Sequence, residues 1–64
     1  MKPTYIYGAG KYGVLAAFDC EQKGVKVAGF IDANASQIKT RLGLPVLALE
    51  QMLSLTEPQI IIAV

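Results

Sequence analysis

The run Gln59-Ile60-Ile61-Ile62-Ala63-Val64 constrains the fold of this chain more than any other segment. Its apolar residues are consecutive and mostly β-branched, with no polar residue at alternate positions. A strand of that kind is buried on both faces, as in parallel sheets. Parallel neighbours cannot be joined by a tight hairpin, so each pair needs a crossover, usually a helix. The rest of the chain fits that demand. Thr4-Tyr5-Ile6-Tyr7 is a short β-rich run that stops at Gly8, and Val25 to Asp32 is a second, nearly all apolar. Val46-Leu47 is a third, which Pro45 assigns to a sheet edge.

Helical stretches alternate with these strands. Tyr12 to Lys23 carries Ala, Leu, Glu, Gln and Lys, with Gly13, Ala17 and Cys20 along one side and Gly24 as its stop. Asn34 or Ser36 can cap a short helix running to Arg41, with Ile38 and Leu42 as its inward pair. Leu49, Met52 and Leu53 give one or two further turns, with Met52 in the core. The β-α-β-α-β-α-β order predicts the α/β class, as an open parallel sheet with flanking helices. With right-handed crossovers and the strands numbered along the chain, the expected order is 3-2-1-4, which sets the final run beside Thr4–Tyr7.

At 64 residues, 53% hydrophobic and 17% charged, the chain is unusually apolar for its size. Disordered chains show the opposite composition. No apolar stretch approaches the roughly 18 residues of a membrane-spanning helix. Apolar surface in excess of what so short a chain buries predicts one half-domain over residues 1–64, part of a larger protein. Its uncovered faces would be met by a downstream domain or by a second copy of the chain. The net charge of +1 is scattered, which argues against nucleic acid as a partner. A single cysteine and no histidine exclude an internal disulfide, a zinc-finger ligand set and histidine-based catalysis. Cys20 reads as a small buried hydrophobe. The apolar stretch before Gly8 is too short for a signal peptide, so the expected location is cytoplasmic.

Gly8-Ala9-Gly10-Lys11-Tyr12-Gly13 follows the first strand and opens the first helix, and it reads G-x-G-x-x-G. Asp32 ends the second strand 19 residues after Gly13, close to the spacing of the acid that binds a ribose in dinucleotide folds. Each position has a physical task in that chemistry. Gly8 allows the tight turn, Gly10 lets a pyrophosphate approach the backbone, and Gly13 lets the helix pack closely on the sheet. The helix N-terminus offers free N–H groups to phosphate. Lys11 can reach a phosphate from the first turn, and Tyr12 can face the ligand or pack against protein. Asp32 would accept from both ribose hydroxyls and repel a 2′-phosphate, which favours NAD over NADP; otherwise it is a solvated strand-end acid or the cap of the next helix. The glycines themselves can also serve the turn alone.

The combination YIYGAGKYG, VAGFIDAN, GLPVLALEQM and PQIIIAV resembles the N-terminal Rossmann-like domain of polysaccharide-biosynthesis proteins. Similar segments occur in sugar acyltransferases, in nucleotide-sugar dehydratases and epimerases, and ahead of sugar-modifying methyltransferases. The resemblance implies that Gly8–Gly13 and Asp32 line a site for NAD or a nucleotide-sugar. It also implies that catalytic residues lie in another domain, which fits a chain carrying no acid, base and nucleophile set of its own. The acyltransferases often have histidine in the glycine loop, where this chain has Lys11-Tyr12. Two other readings stand beside this one. The first is a non-catalytic self-association or interaction module with a vestigial loop. The second is an S-adenosylmethionine site, less suited to three glycines because that ligand has no pyrophosphate.

Overall fold

Strand β1 (Thr4–Tyr7) buries Thr4 and Ile6 on one face and leaves Tyr5 and Tyr7 half-buried on the other, following the two-residue repeat of a strand. A computed structural model of the chain describes residues 3–55 and 57–63. β1 stops at Gly8, whose φ of 110° suits only glycine. Helix α1 (Lys11–Gln22) follows, with Gly13, Ala17 and Cys20 on its buried side. These small side chains let α1 lie close against β1 and β2 (Val27–Ile31). Gly24, at φ 76°, ends the helix: its N–H reaches the Glu21 carbonyl at 3.1 Å, and Val25 N–H reaches that of Cys20 at 2.8 Å. That bond pair is a Schellman closure, which satisfies carbonyls the helix end would otherwise leave open.

β1 and β2 are parallel, with Ile6 beside Phe30 and Tyr7 beside Ile31. Ile6, Phe30 and Ile31 are the largest fully buried side chains among the described residues. Each stabilises the fold by roughly 1.5–3 kcal/mol through burial. Ala9, Ala17, Ala35 and Val46 complete the cluster around Ile6 and Phe30, with Ile38 and Ile61 packed against its margin.

Beyond β2 the chain departs from the sequence expectation. No helix runs from Asn34 or Ser36 to Arg41. Residues 33–37 form successive turns, in which Ala35 N–H bonds the Asp32 carbonyl at 3.1 Å and Ile38 N–H bonds that of Asn34 at 2.9 Å. The chain then turns extended as β3 (Thr40–Arg41) and pairs antiparallel with β4 (Leu44–Leu47). Leu42 (φ 55°) and Gly43 (φ 75°) join them, both left-handed, the backbone of a two-residue hairpin turn. So few residues gain little from helical bonds after the cost of nucleation. Ile38 is half-buried as expected, but Leu42 sits exposed at the hairpin tip rather than inward.

The hairpin also moves β4 off the edge to which Pro45 had assigned it. Among the described residues the sheet has five strands in the order β3-β4-β2-β1-β5, all parallel except for β3. The ladder between β2 and β4 begins at Phe30 and Val46, one residue past Pro45, so the missing N–H breaks no bond of that ladder. The four-residue α2 (Leu49–Met52) buries no side chain, and Met52 is half-buried rather than a core residue. β5 (Gln59–Ile62) lies beside β1 at the sheet edge. Its expected burial on both faces is not met: Ile60 and Ile61 are half-buried and Ile62 is 73% exposed. An edge strand has a neighbour on one side only. Val64 lies outside the described residues.

Candidate functional site

The glycine loop sits at the C-terminal end of β1, between β2 and the start of α1. Gly8 is tied to the sheet by its N–H, 2.7 Å from the Ile31 carbonyl. A side chain on Gly13 would collide with the Gly8 carbonyl oxygen and bring Cβ to 2.9 Å from its carbon. Gly13 is thus the contact at which α1 meets the strand end. Gly10 is its opposite: exposed, in extended backbone at φ −88°, with nothing within 4 Å of where a Cβ would lie.

Gly10 also stands as the N-cap of α1 without a side chain to cap the helix. The first bond of the helical ladder runs from Val14 N–H to the Gly10 carbonyl at 3.1 Å. Among the described residues, the N–H groups of Gly10, Lys11, Tyr12 and Gly13 have no acceptor. A helix start of this kind carries a partial positive charge, and its unpaired donors suit an anion. Lys11 and Tyr12 are both exposed in this first turn, Tyr12 by 62%.

Asp32 lies across the loop from these donors. Its Oδ2 accepts from Ala9 N–H at 2.9 Å and its Oδ1 accepts from Asn34 N–H at 2.8 Å. Its own N–H bonds the Leu47 carbonyl at 3.0 Å, which fixes the residue to the end of β4. The Ala9 N–H, then the Asn34 N–H, hold the Asp32 carboxyl below its ordinary range; partial burial opposes them, and the charge of Arg41 assists. The sequence allowed this acid to cap the next helix. Its carboxylate instead bridges the glycine loop and the turn at Asn34. Each oxygen retains a further lone pair, so these two bonds do not exhaust its capacity.

Arg41 is the residue that sequence reasoning missed. It is half-buried, and its Nε donates to the Ala9 carbonyl at 2.8 Å. Ala9 is therefore gripped twice, through its N–H by Asp32 and through its carbonyl by Arg41. The second grip sets the plane of the peptide between Ala9 and Gly10, and so the direction of the Gly10 N–H. The one available signal was Gly43 before an extended Leu-Pro-Val-Leu run, a turn mark that leaves Arg41 unassigned to strand or helix.

The structure brings Gly8, Gly10, Lys11, Tyr12, Gly13 and Asp32 to one end of the sheet. Cys20 is buried in the α1 packing face. A separate groove of about 400 Å³ lies at the other end of α1, lined by Ala17, Phe18, Val25, Leu42 and Leu44 among others. It shares no residue with the glycine loop. Among the described residues, no group of three or more His, Cys, Asp or Glu could hold a metal ion, and no helix is long and apolar enough to cross a membrane. No protein-family model matches the chain, and no curated protein or solved structure matches it either.

Proposed function

We propose that this chain is a Rossmann-like nucleotide-binding domain that holds NAD or a nucleotide-sugar over Gly8–Gly13, within an enzyme of saccharide modification. One observation carries the proposal: among the described residues, the N–H groups from Gly10 to Gly13 have no acceptor, and they open where Gly10 leaves the approach free. A diphosphate would lie over Gly10 and accept from the first turn of α1, with Lys11 able to add its charge. Asp32 would take the ribose hydroxyls on the lone pairs left free by Ala9 and Asn34. The chemistry of the parent enzyme is carried by the family resemblance alone.

An amide-resolved NMR titration with NAD, NADP, a UDP-sugar and S-adenosylmethionine tests this. The expected result is selective shifts at Gly8–Gly13 and around Asp32 with NAD or the UDP-sugar. A folded sample in which none of the four ligands moves these amides would overturn it. Such a result would favour the interaction module, a reading supported by the exposed Phe18 and Leu42 beside the apolar groove, each 50% exposed.

A further inference from the structure

The hairpin that carries Arg41 is weakly secured. β3 has two residues, of which Thr40 is exposed and Arg41 half-buried, so it brings no buried side chain to the core. Its hold on β4 is the pairing of Thr40 with Pro45 and of Arg41 with Leu44, extended by a bond from Val46 N–H to the Lys39 carbonyl at 3.1 Å. The turn between the strands is costly for its sequence. Both of its central residues are left-handed, a place suited to Asn-Gly or Gly-Gly, and the first of them here is Leu42 at φ 55°. A branched apolar side chain resists that conformation. The cost of this turn belongs to the hairpin itself, whatever else meets the sheet. β4, by contrast, is paired with β2 at Phe30–Val46 and Ile31–Leu47, and its Leu47 carbonyl accepts from Asp32 N–H at 3.0 Å.

The two grips on Ala9 therefore rest on supports of different strength. Asp32 holds the N–H from the end of β2, and Arg41 holds the carbonyl from β3. We propose that β3 is a latch on the glycine loop: it leaves β4 while β4 stays in the sheet, and each departure withdraws the Arg41 Nε from the Ala9 carbonyl. With Asp32 still bound, the loop does not unravel. The peptide between Ala9 and Gly10 becomes free to turn, and the Gly10 N–H loses its fixed direction. Closed and open hairpin are two states of one element, and they impose two states on the loop. An opening that breaks so few bonds and uncovers no core side chain belongs to the low-stability end of local unfolding. What the latch does for phosphate rests on the proposed nucleotide site; the latch itself does not. A ligand bound at Gly10 would favour the closed state, and by reciprocity would hold β3 in place.

Amide hydrogen exchange and NMR relaxation dispersion on the unmodified chain, without ligand, test the latch. The Val46 amide reports on β3, since its acceptor is the Lys39 carbonyl, and the Gly8 amide reports on the sheet, since its acceptor is that of Ile31. The expected result is a Val46 amide less protected than Gly8, with the Val46 and Gly10 resonances sharing one exchange process. Leu42→Asn suits the left-handed turn and should raise Val46 protection about fivefold while quenching the exchange at Gly10. In an Arg41→Ala background the same change should still protect Val46 and leave Gly10 unmoved. A Val46 amide as protected as Gly8 would overturn the proposal. So would a Gly10 resonance that ignores Leu42→Asn while Val46 responds to it. Titration of the same samples with NAD keeps the two readings apart: both amides behaving as expected in a chain that binds no NAD supports the latch and counts against the nucleotide site alone.

Discussion

Two glycines of one loop are predicted to respond in opposite ways to the same added methyl group. In Gly13→Ala the new Cβ meets backbone rather than the flexible end of a side chain: it overlaps the Gly8 carbonyl oxygen and lies 2.9 Å from Gly8 carbon. Ordinary contact begins at 3.4 Å, so the carbon alone must retreat by at least half an ångström and the oxygen further. Gly8 cannot yield cheaply, because its N–H is held by Ile31 and the next residue by Asp32 and Arg41. Overpacking of this kind typically costs about 1–3 kcal/mol, and a backbone collision belongs at the upper end. Alanine returns at most about 1 kcal/mol through helix propensity. The net loss is about 2 kcal/mol, a large share of the roughly 3–10 kcal/mol expected for a chain this size.

In Gly10→Ala the methyl meets nothing within 4 Å, at a negative φ of −88°. Its cost should stay below about 1 kcal/mol, the loss of glycine's advantage over alanine at a helix N-cap. Urea unfolding followed by circular dichroism separates the two variants. With a slope near 1 kcal/mol per molar, Gly13→Ala should lower the midpoint by about 2 M and Gly10→Ala by less than about 1 M. Titration of folded Gly10→Ala with NAD or a UDP-sugar adds the functional half, because the methyl stands where the diphosphate would lie. An unchanged midpoint for Gly13→Ala would refute the close-packing argument. A folded Gly10→Ala that binds either ligand as well as the parent would refute the placement of phosphate.

The remaining predictions concern what shapes the loop. Because Asp32 has its folded pKa lowered by the Ala9 and Asn34 N–H groups, its contribution is complete above the ordinary value of 3.8 and is lost as pH falls through the folded pKa. Asp32→Asn should therefore flatten the acid limb of stability against pH, as read by urea midpoints between neutral and acid solution. Arg41→Ala should cost about 1 kcal/mol through the lost bond to Ala9 and should shift the Gly10 amide resonance before any ligand is added. Gly43→Ala places a side chain at φ 75°, and urea unfolding should show a loss of about 1–2 kcal/mol from the β3–β4 hairpin. Cys20 should react with a thiol reagent slowly in the native chain and quickly in denaturant, since it is buried on the inner face of α1.

What was legible in the sequence was what single residues enforce on their own. Gly8 and Gly24 adopt backbone angles that other residues avoid, and the small residues at Gly13, Ala17 and Cys20 mark a close-packed helix face. The strands Thr4–Tyr7, Val27–Ile31 and Gln59–Ile62 announce themselves by apolar β-branched and aromatic content. The segment from Asn34 to Leu44 was misread because its local signals were weak and divided. Asn34 and Ser36 are as good in turns as at helix caps. Leu42 at φ 55° is a conformation that its residue type does not advertise, and only pairing with β4 makes it worthwhile. The exposure of β5 was illegible for a different reason. Its composition states which strands it resembles, while its position in the sheet states how many neighbours it has.

The misread segment also changes the physical account of Asp32. Had a helix followed β2, the carboxylate would have capped it, and a ligand would have competed with that cap. With turns and a hairpin in its place, the carboxylate instead binds Ala9 N–H, while the hairpin delivers Arg41 to the Ala9 carbonyl. Acid and base thus act on the two polar groups of one residue, immediately before the N–H groups that would receive phosphate. Hydrogen bonds that involve a charged partner are roughly twice as strong as neutral ones, so this pair is well suited to fix a loop of small residues. Loss of Arg41 should then act on phosphate through the direction of the Gly10 N–H, while loss of the Asp32 carboxylate loosens the loop at the Ala9 N–H and removes the ribose acceptor as well. A comparison of Arg41→Ala with Asp32→Asn, each titrated with NAD and with ADP-free inorganic pyrophosphate, separates the two effects. Arg41→Ala should weaken both ligands by the same factor, and Asp32→Asn should weaken NAD more than pyrophosphate. Equal losses from Asp32→Asn on both ligands would leave the carboxylate a loop fastener with no ribose contact.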